Sequence, residues 1–448
     1  MAQYIPHTPE DIAEMLSFLG LNNEEELFSD IPENLKLKGG LKLSEGKTEG
    51  EVMDYLLKLQ DNCFSTDEYI SFLGAGAYDH RIPVVIDSII SRGEYLTSYT
   101  PYQPEVSQGT LQYIFEFQTM LNNLTGMDVA NASVYDVGSG AAEALLMATG
   151  VARKKKVLVS EAINHSTKEV LLTYLPLHGI EIQWISASEG TTDLKELEES
   201  MGDDVGAVFL QSPNFYGIIE DVEAASKIAH SVKKAAMVLA ADPISLGILK
   251  RPGDMGVDIY IGEGQCLGIP QTYGGPYLGL MAAKEQYMRK MPGRIVGETV
   301  DSNGERAFVL TLTAREQHIR REKATSNICS NQGLNVLAAT IYLVMMGPEG
   351  LRDVAYQCMQ KAHYAKEAME ATGKVKLKFD KPFFKEFVMV HEEPVELWQE
   401  RAAEAGYFAG VPMGYFYDEM QDAVMYAVTE KRTREEIDGL CELLEVQL

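Results

Sequence analysis

The stretch Met237-Val238-Leu239-Ala240-Ala241-Asp242-Pro243 decides the fold, because it is an uninterrupted apolar run that ends in an acidic residue. Similar short runs recur between about residues 125 and 282, and segments long enough for a helix separate them. These runs are Val157–Val159, Ile180–Ile185, Ala207–Leu210, Ile259–Ile261 and Tyr277–Ala282. Apolar strands that alternate with helices predict an α/β fold with a large, mainly parallel sheet covered on both faces.

Three regions follow from this pattern. Residues 1–70 are predicted to be a helical and extended segment, with Thr8 capping a helix that has Pro9 in its first turn. Residues 71–332 form the large α/β domain. A long apolar helix from Gly333 then leads into a smaller C-terminal α+β domain, 333–448.

Composition restricts the class of partner. The chain has 448 residues and a net charge of 39 − 66 = −27, which disfavours a nucleic acid or an anionic membrane as the partner. Its five cysteines contain no CxxC pair, and its eight histidines contain no HxxxH pair. A disulfide framework and a helical zinc site are therefore not predicted. The N-terminus lacks the basic start and apolar core of a signal peptide, so we expect a cytoplasmic protein. Because the zinc-binding motifs are missing, we also expect no bound metal.

Candidate ligand-binding residues follow the predicted strands, where open parallel sheets bind their ligands. A turn containing Gly138 and Ser139 leads into a helix and offers backbone N–H groups to an anion, although such turns are common without one. Asp242 is placed to pair with a protonated pyridine nitrogen, or only to cap a helix. His165 is placed to stack on a planar ring, or only to serve the structure.

These parts, together with the glycine-rich stretch from Gly262 to Pro276, resemble in chain order the fold-type-I pyridoxal-phosphate enzymes. Such enzymes hold the cofactor aldehyde on a lysine that follows the strand after the aspartate. The nearest lysines here are Lys250 and Lys284, and the interval between them contains none. The missing lysine is the most informative departure from the pattern.

Over essentially its whole length the chain resembles the glycine decarboxylase P-protein family in its two-subunit form, and within it the first subunit, which lacks the lysine. The matching motifs are Tyr4–Pro9, Phe72–Gly74, Tyr99–Gly109, Gly262–Gln265, Ala314–Gln317, Ile319–Arg321 and Pro382–Phe384. In the sister subunit, a proline lies five residues after the cofactor lysine. A second proline, which follows glycines, lies six residues after the first. Gln265, Pro270 and Pro276 have this spacing, so Gln265 stands at the lysine position.

The resemblance implies that the sister subunit binds pyridoxal phosphate covalently and that this chain does not. It implies decarboxylation of glycine by the complex, transfer of the aminomethyl group to the lipoyl arm of the H-protein, and a tetramer with two copies of each subunit. Gly138, Ser139, His165 and Asp242 would then line a vestigial pocket. The residues expected to complete the sister subunit's site lie in one proline-fixed polar loop: Tyr99, Thr100, Tyr102, Gln103, Glu105 and Gln108.

His80, Arg315 and Arg321 are further candidates, and an arginine is suited to guiding a carboxylate. Two other classes of function stay open at this point. One alternative is a self-sufficient pyridoxal-phosphate enzyme that uses a lysine elsewhere in the sequence. The other is a scaffold subunit that takes no part in catalysis. For the polar loop Tyr99–Gln108, the alternative to a place in the sister subunit's site is that it only seals the interface between the subunits.

Overall fold

The structure is a computed structural model that describes residues 6–324 and 326–446. The family motif that begins at Tyr4 therefore lies partly outside the described residues. The chain forms two compact units, Met1–Phe64 and Ser65–Leu448. All of the sheets and the candidate site belong to the second unit.

The first unit contains the helices α1 (Pro9–Leu19) and α2 (Glu49–Gln60). Each helix begins at a threonine, Thr8 or Thr48, whose hydroxyl accepts a hydrogen bond from the backbone three residues further on. An acidic side chain at that third position bonds back to the threonine N–H, which completes a capping box. The predicted cap at Thr8 is confirmed.

The second unit contains the remaining α-helices. They are α3 (Val84–Ile90), α4 (Gly93–Leu96), α5 (Gln108–Thr125), α6 (Val137–Ala152), α7 (His165–Leu177), α8 (Leu194–Ser200), α9 (Val222–Ala229), α10 (Gln317–Arg320), α11 (Gly333–Ala371), α12 (Val395–Glu404) and α13 (Arg434–Glu445). The long α11 is interrupted at Gly347, where φ is +59°. Pro348 follows and suits the first turn of the continuing helix.

The strands also lie in the second unit. They are β1 (Ile70–Ser71), β2 (Val129–Ala130), β3 (Lys156–Ser160), β4 (Glu181–Ile185), β5 (Val205–Gln211), β6 (Ala236–Ala240), β7 (Ile259–Glu263), β8 (Gly279–Ala283), β9 (Ile295–Val300), β10 (Arg306–Thr311), β11 (Val375–Leu377), β12 (Glu386–His391), β13 (Tyr407–Phe408), β14 (Val411–Pro412) and β15 (Ala423–Ala427). β9 and β10 form an antiparallel hairpin, and β1 pairs in parallel with β13.

The large sheet has the strand order β2-β8-β7-β6-β5-β3-β4. The strands β3 to β7 are mutually parallel, whereas β8 runs antiparallel to its neighbours β7 and β2. Residues 264–278 join β7 to β8 with only a short 3-10 turn, so the chain turns back instead of crossing over. The predicted mainly parallel sheet is confirmed, and this short connection explains the one reversed strand at β8.

Two apolar layers cover the faces of this sheet. In β3, Leu158 belongs to the layer that contains residues of α5, α9 and α11, while Val157 and Val159 belong to the layer that contains residues of α6 and α7. This alternation follows from the two-residue period of a strand. Because both layers are apolar, the central strands β5, β6 and β7 carry their charged and amide side chains only at or just beyond their carboxyl ends.

The C-terminal part has a smaller antiparallel sheet with the order β11-β12-β15-β14. Its apolar face packs on α12, α13 and the second part of α11 around the buried side chains of Phe387, Trp398, Tyr426 and Leu440. Lys385, just before β12, and Glu386, its first residue, lie at the ends of the strands of the large sheet. The small sheet therefore contributes one wall of the candidate site.

Among the described residues, α11 alone is long and apolar enough to cross a membrane, judged by length and composition. Its residues Val336, Ala339 and Tyr342 are fully or almost fully buried in the layer shared with the large sheet. Those contacts, and the break at Gly347, are typical of a core helix.

Candidate functional site

Three neighbouring parallel strands end in polar residues: β5 in Gln211, β6 just before Asp242, and β7 in Glu263. Lys385 and Glu386, at the start of β12, line the same cleft. We call this the sheet-end cleft. Because open α/β sheets bind ligands at the carboxyl ends of their parallel strands, it is the natural place to look for a site.

An ion pair lies in the sheet-end cleft. The Nζ atom of Lys385 is 2.6 Å from Oδ2 of Asp242, and its side chain is 2% exposed. Burial alone would raise the pKa of Asp242, but the Lys385 ammonium lowers it below the ordinary value. Burial alone would likewise lower the pKa of Lys385, but Asp242 raises it. Both groups are therefore charged at neutral pH, and the amine of Lys385 is not free to act as a nucleophile.

His80 lies against this pair and is buried. Its Nε2 is 3.1 Å from Nζ of Lys385, and its Nδ1 is 2.6 Å from Oε2 of Glu430. An ammonium group only donates, so Nε2 is the acceptor and Nδ1 carries the proton. His80, Cys358 and Glu430 offer donor atoms within 4.8 Å of one another, but the adjacent ammonium would repel a metal cation. We therefore assign His80 to holding Lys385 in place.

The Gly138 turn begins α6, where an anion was expected. The Asp136 carboxylate accepts a hydrogen bond from the Ser139 N–H at 2.7 Å. The Glu263 carboxylate accepts one from the Val137 N–H at 3.2 Å. Two carboxylates of the chain therefore bind the N–H groups of this first turn, at the positively polarised end of the helix.

Two glutamates of the cleft have raised pKa values. Burial raises the pKa of Glu263 to about 7, although hydrogen bonds from backbone N–H groups oppose the shift. Burial also raises the pKa of Glu386 to about 7. Glu386 accepts hydrogen bonds from the Ala75 N–H at 2.8 Å and the Tyr78 hydroxyl at 3.0 Å. Both glutamates are thus buried carboxyl groups whose pKa values lie close to neutral pH.

Gln265, at the predicted lysine position, is buried and hydrogen-bonded at both ends of its amide. Its Oε1 accepts from the Tyr78 N–H at 2.9 Å. Its Nε2 donates to the carbonyls of Tyr78 at 3.1 Å and Ile269 at 2.8 Å. The amide ties the segment around Tyr78 to the turn after β7, and it cannot form an imine.

These residues do not fit a covalently held pyridoxal phosphate. The aspartate that would face the pyridine nitrogen already pairs with Lys385. The helix start that would face the phosphate already binds carboxylates. Position 265 offers no amine, and Lys385 lies at the aspartate end of the cleft, whereas the aldehyde carbon of the cofactor lies across the ring from its nitrogen.

His165 was expected to stack on a planar ring in this pocket. It is the first residue of α7, and its ring lies 5.4 Å from the ring of Phe416, tilted by 43°. The preceding Asn164 caps α7 and donates to the Ala75 carbonyl at 2.8 Å. The structure thus gives the histidine a ring partner from the C-terminal part of the chain.

Several side chains of the polar loop Tyr99–Gln108 are exposed. Tyr99 is 85% exposed, and Tyr102, Gln103 and Glu105 are exposed as well. Thr100 is half-buried and, with Tyr99, lines a small cavity beside residues 330–331. The loop therefore has several side chains whose functional groups are free to reach another molecule.

Tyr102 is braced from within the chain. Its ring centre is 5.5 Å from the guanidinium carbon of Arg294 and 5.9 Å from the His318 ring, which it meets at 79°. Arg294 is 2% exposed and donates to the Cys329 carbonyl at 2.6 Å. A buried cation under the ring fixes the direction of an otherwise half-exposed tyrosine.

Gln108 anchors the loop. Its Nε2 donates to the carbonyls of Pro104 at 2.7 Å and Phe308 at 2.9 Å. Its Oε1 accepts from the Phe308 N–H at 2.9 Å. These bonds tie the end of the loop to β10, which leaves the amide little capacity for a ligand.

The two further arginine candidates differ. Arg315 donates to the carbonyls of Leu312 at 3.1 Å and Gly293 at 3.0 Å, and burial lowers its pKa. Its Nη1 is buried and has no hydrogen-bond partner among the described residues. Arg321 is exposed and adopts a positive φ of 53°. Arg315 thus retains an unused donor of the kind that binds carboxylates.

Sequence reasoning missed Tyr78, Arg294, Lys385 and Glu386 as members of these clusters. Lys385 and Glu386 directly follow the family motif Pro382–Phe384, which was the only local signal for them. The sequence carried no local signal for Arg294, because its contact with the Tyr102 ring depends on how the loop Tyr99–Gln108 folds.

Comparisons with known proteins identify the family of the chain. The family model described as the glycine cleavage system P-protein matches residues 2–444. A relative from Carboxydothermus hydrogenoformans, named probable glycine dehydrogenase (decarboxylating) subunit 1, is 52% identical and covers 99% of each chain. A crystal structure of glycine decarboxylase (P-protein) of the glycine cleavage system, in inhibitor-bound form, has a TM-score of 0.89 at 40% identity and covers 99% of each chain.

A more distant neighbour shows the fold alone. It is a C-DES mutant with glycine covalently linked to its PLP cofactor, at a TM-score of 0.60 and 13% identity, covering 81% of this chain and 93% of that one. The expected fold class, that of the fold-type-I pyridoxal-phosphate enzymes, is confirmed. The match over residues 2–444 and the 52% identity over nearly the whole chain establish that this protein belongs to the glycine cleavage system P-protein family.

Proposed function

We propose that this chain is the first subunit of a two-subunit glycine decarboxylase and that it acts by completing a site on its sister subunit. The relative from Carboxydothermus hydrogenoformans carries the words "subunit 1" in its name, which supports a partner. The sister subunit holds pyridoxal phosphate on its lysine. There the cofactor supplies an electron sink when glycine loses carbon dioxide.

The observation that carries this proposal is the state of Gln265. It occupies the lysine position with its amide fully engaged by Tyr78 and Ile269, and an amide forms no imine. A chain with this fold and this family membership, but without that lysine, needs a second chain for the chemistry. The covalent cofactor therefore belongs to the partner.

Lys385 is the one lysine that favours the alternative of a self-sufficient enzyme, since it lies in the sheet-end cleft. Its charge and position count against that role. Asp242 keeps it protonated at 2.6 Å, and a protonated amine does not attack an aldehyde. It also occupies the place of the pyridine nitrogen rather than that of the aldehyde.

The contribution of this chain is assigned to the loop Tyr99–Gln108. Tyr99, Tyr102, Gln103 and Glu105 are exposed and polar, which suits them to orient a small amino acid and exclude water at the partner's site. Thr100 borders them, and Gln108 holds the loop in place through β10. Arg315 stays a further candidate for guiding a carboxylate, although its unused donor is buried within the chain.

The remaining expectations form part of the same proposal. The complex contains two copies of each subunit in the cytoplasm, takes glycine as substrate, and passes the aminomethyl group to the lipoylated H-protein. Neither nucleic acid nor membrane is a partner of a chain with a net charge of −27. The division of the chain into an N-terminal segment 1–70, a large α/β domain 71–332 and a small C-terminal α+β domain 333–448 stays part of this proposal.

Borohydride reduction of the complex purified with its sister subunit tests this proposal. We expect the reduced phosphopyridoxyl group on a lysine of the sister subunit, and none at stoichiometric yield on this chain, when both are digested and analysed by mass spectrometry. The same treatment of this chain alone is the control. A stoichiometric label on Lys385 would instead establish a self-sufficient enzyme.

A further inference from the structure

The sheet-end cleft contains ionisable groups of the chain itself at the places where a cofactor would present its own. At one end, the Lys385 ammonium lies 2.6 Å from Asp242 and 3.4 Å from the centre of the Tyr78 ring. A protonated pyridine nitrogen would bring one positive charge to the same carboxylate. Lys385 therefore satisfies Asp242 with the charge that a cofactor ring would bring.

At the other end, a carboxylate takes the place of a phosphate. Glu263 accepts hydrogen bonds from the Val137 N–H, in the first turn of α6, and from the Leu278 N–H at 2.9 Å. Asp136 caps the same turn through Ser139. A phosphate at this helix start would have to displace Glu263 and lie beside a second carboxylate, which like-charge repulsion opposes.

Beside the cleft, Gln265 bridges Tyr78 and Ile269 through its amide and is 2% exposed. The amide leaves no unpaired donor at this position, and the bridge ties Tyr78, which lines the cleft, to the turn after β7. Replacing this glutamine by lysine supplies an amine but leaves the other two groups in place.

From these three contacts we propose that the sheet-end cleft is closed to pyridoxal phosphate, both covalent and free, by three groups of this chain: Lys385 in place of the pyridinium, Glu263 in place of the phosphate, and Gln265 in place of the lysine. The loss of the lysine alone does not explain the closure. The inference is independent of the proposed function, because the cleft is closed whether or not the loop Tyr99–Gln108 serves a partner.

The test is a titration of purified chains with pyridoxal phosphate, in which imine absorbance is followed and the adduct at position 265 is located by borohydride reduction and mass spectrometry. The variants are Gln265→Lys, and a triple variant Gln265→Lys, Lys385→Met, Glu263→Gln. We expect labelling at position 265 of Gln265→Lys to stay at the level of exposed lysines. The triple variant should be labelled at that position at least about tenfold more readily. Equal labelling of the two variants would overturn the proposal.

The triple variant leaves Asp242 unpaired and is at risk of not folding, so the wild-type chain provides a second measurement. Equilibrium dialysis of the wild-type protein against pyridoxal phosphate, followed by borohydride treatment to separate bound from imine-linked cofactor, should retain none beyond the level of a denatured control. Retention of about one molecule per chain would contradict the closed cleft. That result would leave the proposed role at the partner's site intact, because the borohydride label on the sister subunit is measured separately.

Discussion

Tyr102→Ala in the assembled complex is expected to lower the rate of glycine decarboxylation by about 100-fold, because it removes the braced ring of the loop Tyr99–Gln108. The ring is held over Arg294 and against His318 and is still half-exposed. A side chain fixed from below and open above is suited to position a substrate on another subunit. The measurement is the exchange of labelled carbon dioxide with glycine, at matched amounts of intact complex.

Two variants give this experiment its controls. Tyr102→Phe keeps the ring and its contact with Arg294, so it should retain most of the activity if positioning is the role of the residue. Leu177→Ala removes an 85% exposed side chain at the end of α7, outside this loop, and should affect neither rate nor assembly. Unchanged exchange in Tyr102→Ala, with assembly preserved, would favour a scaffold subunit and would remove the loop from the site.

Lys385→Met is expected to destabilise the isolated chain by about 3–5 kcal/mol, because it leaves the carboxylate of Asp242 buried without its counter-ion. The difference should shrink as the pH falls. The pKa of Asp242 in the folded chain is lowered below its ordinary value of 3.8, so the stability from the pair is present above that value and is lost as the pH falls through the folded pKa. Denaturant unfolding measures this change as a shift of the midpoint concentration of denaturant, at an unchanged m-value.

The double variant Lys385→Met, Asp242→Asn should recover a large part of that loss, since it removes both charges. Lys381→Met is the matched control, because Lys381 is exposed just before the same strand. It should change the free energy of unfolding by no more than about 0.5 kcal/mol. A Lys385→Met chain as stable as the wild type at neutral pH would show that the pair contributes nothing to holding the cleft.

Much of the fold could be predicted because its signals are local. The apolar runs around Val157, Ala207, Met237 and Ile259 became neighbouring strands of the large sheet. The reversal of β8 was not visible, since it depends on how the short segment after β7 turns back. The break in α11 was indicated by the Gly347-Pro348 pair, which is a local signal of the same kind.

The site was less predictable because it is built from distant segments. Asp242 and Gln265 were identified from their positions relative to strands and from the family spacing. Their partners Lys385 and Tyr78 come from other parts of the chain, and no sequence motif indicates that they make these contacts. The occupation of the Gly138 turn by Glu263 was likewise hidden, because a glycine turn shows that N–H groups are offered but not which group accepts from them.

The exposed loop and the closed cleft together describe a chain that retains the fold of a cofactor enzyme but directs its free polar groups outward. Gln108 uses its amide to hold the loop on β10, and the Arg294 guanidinium packs against the ring of Tyr102. The expected role of Gln108 in contacting substrate is therefore, in our proposal, replaced by an anchoring role. Tyr99, Tyr102 and Glu105 remain the residues proposed to act at the partner's site.

The most direct test of this account is reconstitution of carbon dioxide exchange with glycine from purified subunits and lipoylated H-protein. This chain, a lysine-bearing sister subunit, and their mixture are assayed under the same conditions with added pyridoxal phosphate. The account predicts exchange from the mixture and none above background from either subunit alone. Exchange by this chain alone, or an equal rate from the sister subunit without it, would contradict the claim that the site needs both.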